Sequence, residues 1–139
     1  MGSPRQNSNL EKIKAVNEEN SLVLGRAFWN LVRLYNFDRS EQALLLGIKN
    51  TRSRLNDLEK EDRIPVENDV FFRVGTLLGI HKNLRLLFPY NRDLVYKWMK
   101  TEQPLLNNQI PIDYIKAEPI HSMARLFSIR RLLDQVRVR

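Results

Sequence analysis

Residues 70–89 read VFFRVGTLLGIHKNLRLLFP, and the spacing within this stretch decides the fold. Val70, Val74, Leu77, His81, Leu84 and Phe88 recur every three or four residues, one stripe of a 3.6-residue helix. Phe71, Leu78, Ile80 and Leu87 widen the stripe, so the spacing predicts a helix buried over more than half its circumference. Asn68 or Asp69 is expected to cap its start and Pro89 to end it. At a rise of 1.5 Å per residue it would span about 28 Å, the width of a small domain. The rest of the chain is short enough to pack around it as a spine.

Upstream of the spine, DRSEQALLLGIKNTRSRLNDLEKED (38–62) holds two short helical patterns separated at Gly47. Asp38 or Ser40 suits the first N-cap, and Asn50 or Thr51 the second. Two short helices joined in this way form a helix-turn-helix-like pattern. Its second helix would present Lys49, Asn50, Thr51, Arg52 and Arg54 to phosphates or base edges. The acidic Asp57, Glu59, Glu61 and Asp62 follow at once, so a solvated helix pair is the plainer alternative.

Further back, SLVLGRAFWNLVRLYNF (21–37) has Ser21 as its expected cap and only Arg26, Asn30 and Arg33 as a polar stripe. A helix this apolar is either enclosed by its own domain or shared with a second subunit. In the second case Phe28, Trp29, Leu31 and Tyr35 are the expected contacts of a homodimer. Residues 1–20 are expected to be a flexible segment, with a tail over Met1–Asn9 and a thin helical signal through Leu10, Ile13 and Val16.

Downstream, Asn91 opens a short helix in which Leu94, Val95 and Trp98 can return to the spine. TEQPLLNNQIP (101–111) reads as a loop, with two prolines and an Asn107-Asn108 pair that tolerates left-handed backbone. The last helix starts near Pro119 and carries Leu126, Ile129, Leu133 and Val136 on one face, with Met123 and Phe127 beside it. Arg125, Arg130, Arg131 and Arg137 load its other side. No strand has a period-two pattern, so the expected fold class is all-α.

The chain of 139 residues has a net charge of +7, distributed unevenly. Residues 1–69 carry 11 Lys/Arg against 11 Asp/Glu, and residues 70–139 carry 12 against 5, which is the whole excess. A basic surface invites nucleic acid, an anionic membrane or an acidic protein pocket. The absence of cysteine excludes disulfides and thiolate chemistry, and no run of eighteen apolar residues spans a membrane. A cytoplasmic location is expected. Catalysis is not: there is no phosphate loop, no metal-ligand spacing and no nucleophile elbow, and of two histidines His81 falls on an apolar stripe. No cofactor or metal is expected.

From Leu44 onward the order of motifs resembles the antitoxins grouped under the names Xre, MbcA and ParS. LLLGI (44–48) is similar to the family's entry into its helix-turn-helix. RVGTLLGIHKNLRLLFP (73–89) resembles its Arg-(Ile/Val)-x-x-Leu-Leu-Gly-Ile-Tyr-Lys-x-Leu-x-x-Leu-Phe-Pro segment. Trp98-Met99, Ile112-Asp113 and Arg130-Arg131-Leu132-Leu133-Asp134 are similar to later motifs, so the likeness covers about two thirds of the chain. Glu102-Gln103 replaces the family's Pro-Asn, Asn107-Asn108 its Gly-Gly, and His81 its Tyr.

The resemblance implies a helical antitoxin with a helix-turn-helix-like N-terminal half and a C-terminal toxin-binding domain that share the long central helix. Its partition would be 21–66 for dimerisation and DNA binding and 67–139 for the toxin. The implied partner is a RES-domain toxin that consumes NAD, neutralised by occlusion of its active site. Repression of the pair's own operon and a homodimeric state are implied too. Trp98, Asn107, Asn108, Arg130, Arg131, Arg137 and Arg139 are the expected toxin contacts. The alternative is a free-standing helix-turn-helix transcriptional regulator without a toxin.

Overall fold

The computed structural model describes residues 4–138, with side chains over 8–138. All regular elements among them are helices: α1 (Pro4–Tyr35), α2 (Arg39–Leu46), α3 (Arg52–Glu61), α4 (Asn68–Leu87), α5 (Arg92–Lys97), α6 (Pro111–Lys116) and α7 (Ser122–Val138). Single 3-10 turns lie at Trp98–Lys100, Pro104–Leu106 and Pro119–His121. The class is all-α, as the periodicities require. None of these helices is long and apolar enough to cross a membrane.

The expected spine is α4. Val70, Val74, Leu77, Ile80 and Leu84 are buried, and Phe71, Leu78, Leu87 and Phe88 pack partly against the same core. It touches α1, α2 and α5 and runs most extensively along α7. Its N-cap is Glu67 rather than Asn68 or Asp69, with no side-chain bond to the first turn. The helix stops at Leu87 because Pro89 disfavours helical backbone at the residue before it, and Phe88 turns out at φ −127° and ψ 63°.

Ser21 is not a helix start. α1 runs unbroken from Pro4, so residues 4–20 are helical; residues 1–3 of the expected tail lie outside the described residues. The buried Ser21 hydroxyl donates to the Ile64 carbonyl, 43 positions away, which gives this polar group its partner in mid-helix. The linker between α3 and α4 crosses α1 here. A Cβ on Gly25 would collide with Arg63 Cα, and Trp29 Nε1 donates to the Arg63 carbonyl at 2.9 Å.

That crossing overturns the expected dimer surface. Phe28, Trp29, Leu31 and Tyr35 are 0, 0, 1 and 3% exposed within a single chain, so they form its own core and offer nothing to a second subunit. Their apolarity is spent on the linker, α4 and α5.

The remaining elements follow local rules. Asp38 and Glu41 close a capping box at the start of α2. Gly47 ends that helix at φ 71°, its N–H reaching the carbonyls of Ala43 and Leu44. Asn91 caps α5 through the Leu94 N–H. Val95 and Trp98 return to the core, while Leu94 stays 39% exposed, contrary to expectation. On α7, Leu126, Ile129 and Leu133 are buried, whereas Val136 is 40% exposed.

Candidate functional site

Two exposed faces gather the residues singled out by the sequence. The first is the turn between α2 and α3. Lys49, Asn50, Thr51, Arg52 and Arg54 are all exposed and adjacent at the N-terminus of α3. Lys49 to Thr51 lie in the turn itself, and the helix proper begins at Arg52, with Thr51 as an N-cap that makes no side-chain bond. A helix N-terminus carries a partial positive charge, so cations gathered beside it suit an anion such as phosphate. Only Leu55 is fully buried on α3, with Leu58 half-buried. Arg39 fixes the helix to α2, its guanidinium donating to Asn56 Oδ1 at 2.7 Å and Glu59 Oε1 at 3.1 Å. The acidic Asp57, Glu59, Glu61 and Asp62 fall on the C-terminal half of α3 or after it, away from the basic turn.

Arg73 braces this turn from below, a role the sequence did not disclose. Its guanidinium lies where a Cβ on Gly47 would sit. Nη1 donates to the Leu44 carbonyl at 3.4 Å and to the Ser122 hydroxyl at 2.9 Å, and Nε to Asp69 at 3.0 Å. One side chain thereby joins the end of α2, the start of α4 and the start of α7.

The second face is the outside of α7. Arg130 lies over Gly79 of α4, where any Cβ would strike the guanidinium, and sits 4.0 Å from Asp134. Arg137 donates to Asn83 Oδ1 at 2.7 Å, and the buried Asn83 donates to Asp134 Oδ1 at 2.7 Å. Both arginines therefore lean on α4, while Arg131 is exposed. Arg139 lies outside the described residues. Met123 and Phe127 are each 37% exposed, and Phe127 meets the exposed Phe72 of α4 with ring centroids 5.7 Å apart. Met123, Phe127, Arg131 and Val138 follow one another at helical spacing on this outer face, an apolar and basic stripe.

The other expected toxin contacts do not belong to this stripe. Trp98 is 4% exposed and is a core residue, at the floor of a groove of about 460 Å³ lined also by Phe88, Asp93, Lys97 and Glu102. It belongs to the continuous buried cluster, so Trp98 is corrected from contact to core. Asn107 and Asn108 are exposed at φ 55° and 64°, at the tip of a loop closed by the bond from Gln103 N–H to the Gln109 carbonyl. Asparagine is one of the few side chains that adopts such backbone readily.

His81 sits in an aromatic nest. Tyr35 Oη and His81 Nδ1 are 2.8 Å apart, and the imidazole stacks on Tyr96 at 14°. Burial, and then the nearby Arg85, hold the imidazole below its usual pKa. Burial likewise pushes the Tyr35 phenol upward, helped by Tyr96 and opposed by Arg85. The bond between the phenol and the imidazole is a structural joint between α1 and α4. Among the described residues no group of three or more His, Asp or Glu is placed to hold a metal ion. No family model, curated protein or solved structure matches the chain.

Proposed function

We propose that this chain is the antitoxin of a type II toxin–antitoxin pair, neutralising a RES-domain toxin that consumes NAD and repressing its own operon. The observation that carries the reading is the outer face of α7. Met123, Phe127, Arg131 and Val138 stand exposed on a helix seated against α4, the element that bears the family-like segment. A rigid helix with an apolar and basic stripe can enter a cleft and exclude a nucleotide by bulk. The basic side chains suit acidic groups at the rim of such a cleft. Neutralisation by occlusion requires no cofactor and no catalytic group on this chain.

Co-expression with the product of the adjacent gene tests the reading. The expected result is a complex that co-purifies, together with suppression of NAD loss by the toxin. A toxin that consumes NAD at the same rate with this chain in excess would sink it.

The alternative, a free-standing helix-turn-helix regulator, is favoured by the cluster of Lys49, Asn50, Thr51, Arg52 and Arg54 at the start of α3. Sequence-specific DNA binding with no protein partner from the same operon would select that alternative.

A further inference from the structure

The first half of α1 extends past the body that the rest of the chain builds. The linker between α3 and α4 crosses α1 at Ser21, Gly25 and Trp29, and Ser21 is the first buried side chain among the described ones of the helix. Residues 8–16 are exposed, as are Glu18 and Glu19. From Pro4 to the crossing the helix extends about 25 Å at its regular rise. Isolated helices of this length are marginal in water, and packing of an apolar face is what ordinarily holds them. Such a face is present. Leu10, Ile13, Val16 and Val23 are 64, 58, 54 and 58% exposed, and at about 100° per residue they fall within about 140° of the circumference, an arc they share with the half-buried Asn17 and Asn20.

The charges on this arm are divided along its length. Lys12 and Lys14, with Glu11, occupy its outer part; Glu18 and Glu19 occupy the part next to the body. We propose that the arm is the contact between two copies of this chain, packed antiparallel across a two-fold axis near Val16. Antiparallel packing lays Lys12 and Lys14 beside Glu18 and Glu19 of the partner subunit and closes the apolar stripe on its own copy. It also sends the two bodies to opposite ends. A parallel pair would set like charges side by side and bring together two bodies from chains of net charge +7, within a screening length of about 8 Å. The proposal is independent of the antitoxin reading, because it concerns the chain alone.

Sedimentation velocity of the full chain at micromolar concentration, without toxin or DNA, tests it. The wild type is expected to be a dimer. Ile13→Glu with Val16→Glu should give a monomer with a folded body, since both side chains are exposed and outside the core. Lys12→Glu with Lys14→Glu should weaken the dimer at least tenfold, and adding Glu18→Lys with Glu19→Lys should restore it by exchanging the two ends. The chain has no cysteine, so single-cysteine variants report the orientation directly. Val16→Cys should cross-link. Leu10→Cys should not, because its twin would lie roughly 18 Å away along the axis, beyond disulfide reach. A monomeric wild type, a dimer indifferent to Ile13→Glu with Val16→Glu, or ready cross-linking through Leu10→Cys overturns the proposal.

Discussion

His81, bonded to Tyr35, ties part of the fold's stability to pH. The imidazole pKa is lowered in the folded chain from its ordinary 6.5, chiefly by burial and secondarily by Arg85. Below 6.5 the unfolded chain therefore binds a proton that the folded chain resists. The stability due to this group is complete above pH 6.5 and is lost as the pH falls from there through the folded value. Denaturant titrations between pH 7.5 and pH 5 should show that decline, and His81→Phe should flatten it. An unchanged slope in the variant would assign the decline to other groups. At Gly47 the constraint is backbone geometry. Its φ of 71° and the Arg73 guanidinium beneath it leave no room for a side chain. Gly47→Ala should cost about 1–3 kcal/mol, from left-handed strain and displacement of Arg73. Thermal unfolding at the wild-type temperature would refute that account.

At the scale of elements, α4 was legible and the limits of α1 were not. Residues 70–88 announce their helix because burial on most sides imposes apolar spacing on most positions. Ser21 misleads because a serine before an apolar run resembles a cap, and its real acceptor, the Ile64 carbonyl, is distant in sequence. The apolarity of Phe28, Trp29, Leu31 and Tyr35 could not tell a covering linker from a second subunit, since both bury the same area. The apolar spacing of Val95 and Trp98 did mark Trp98 for the spine, and only the resemblance made it a contact. The basic turn at α3 was legible because its residues are consecutive. Changing Lys49, Arg52 and Arg54 to Ala should lower DNA affinity and flatten its salt dependence by about one unit of slope for each phosphate no longer neutralised. All three are exposed, so stability should hold; unchanged operator binding would remove the assignment of this turn. On α7, deleting residues 135–139 removes the Arg137 bond to Asn83 but no buried apolar side chain. The truncated chain should stay folded, lose about 1 kcal/mol, and inhibit the proposed toxin less well. Full inhibition by the truncated chain would move the toxin-binding assignment to the loop of Asn107 and Asn108.

Across the whole molecule, both candidate faces hang on α4, and the buried apolar residues from Phe28 to Leu133 form one continuous cluster. The division at residues 66 and 67 read from the sequence is therefore bridged by shared packing. Arg73 is the polar counterpart of that bridge: its side chain is 11% exposed and holds the Leu44 carbonyl, Asp69 and the buried Ser122 hydroxyl together. Replacing it with methionine keeps most of the stem but leaves the Ser122 hydroxyl without its donor. Loss of a buried partner costs about 1–3 kcal/mol, and the half-exposed Asp69 pair adds less. For a chain of this size, that corresponds to a fall in Tm of roughly 3–10 °C. Arg73→Met should give one unfolding transition, shifted as a whole, because no part of the core can melt without α4. It should also weaken the proposed DNA binding and the proposed toxin binding together. The triple alanine variant of the turn should touch only DNA binding, and the α7 truncation only toxin binding. Two separate transitions in Arg73→Met, or loss of one activity with the other intact, would mean that the halves fold and bind independently and that α4 joins them without coupling them.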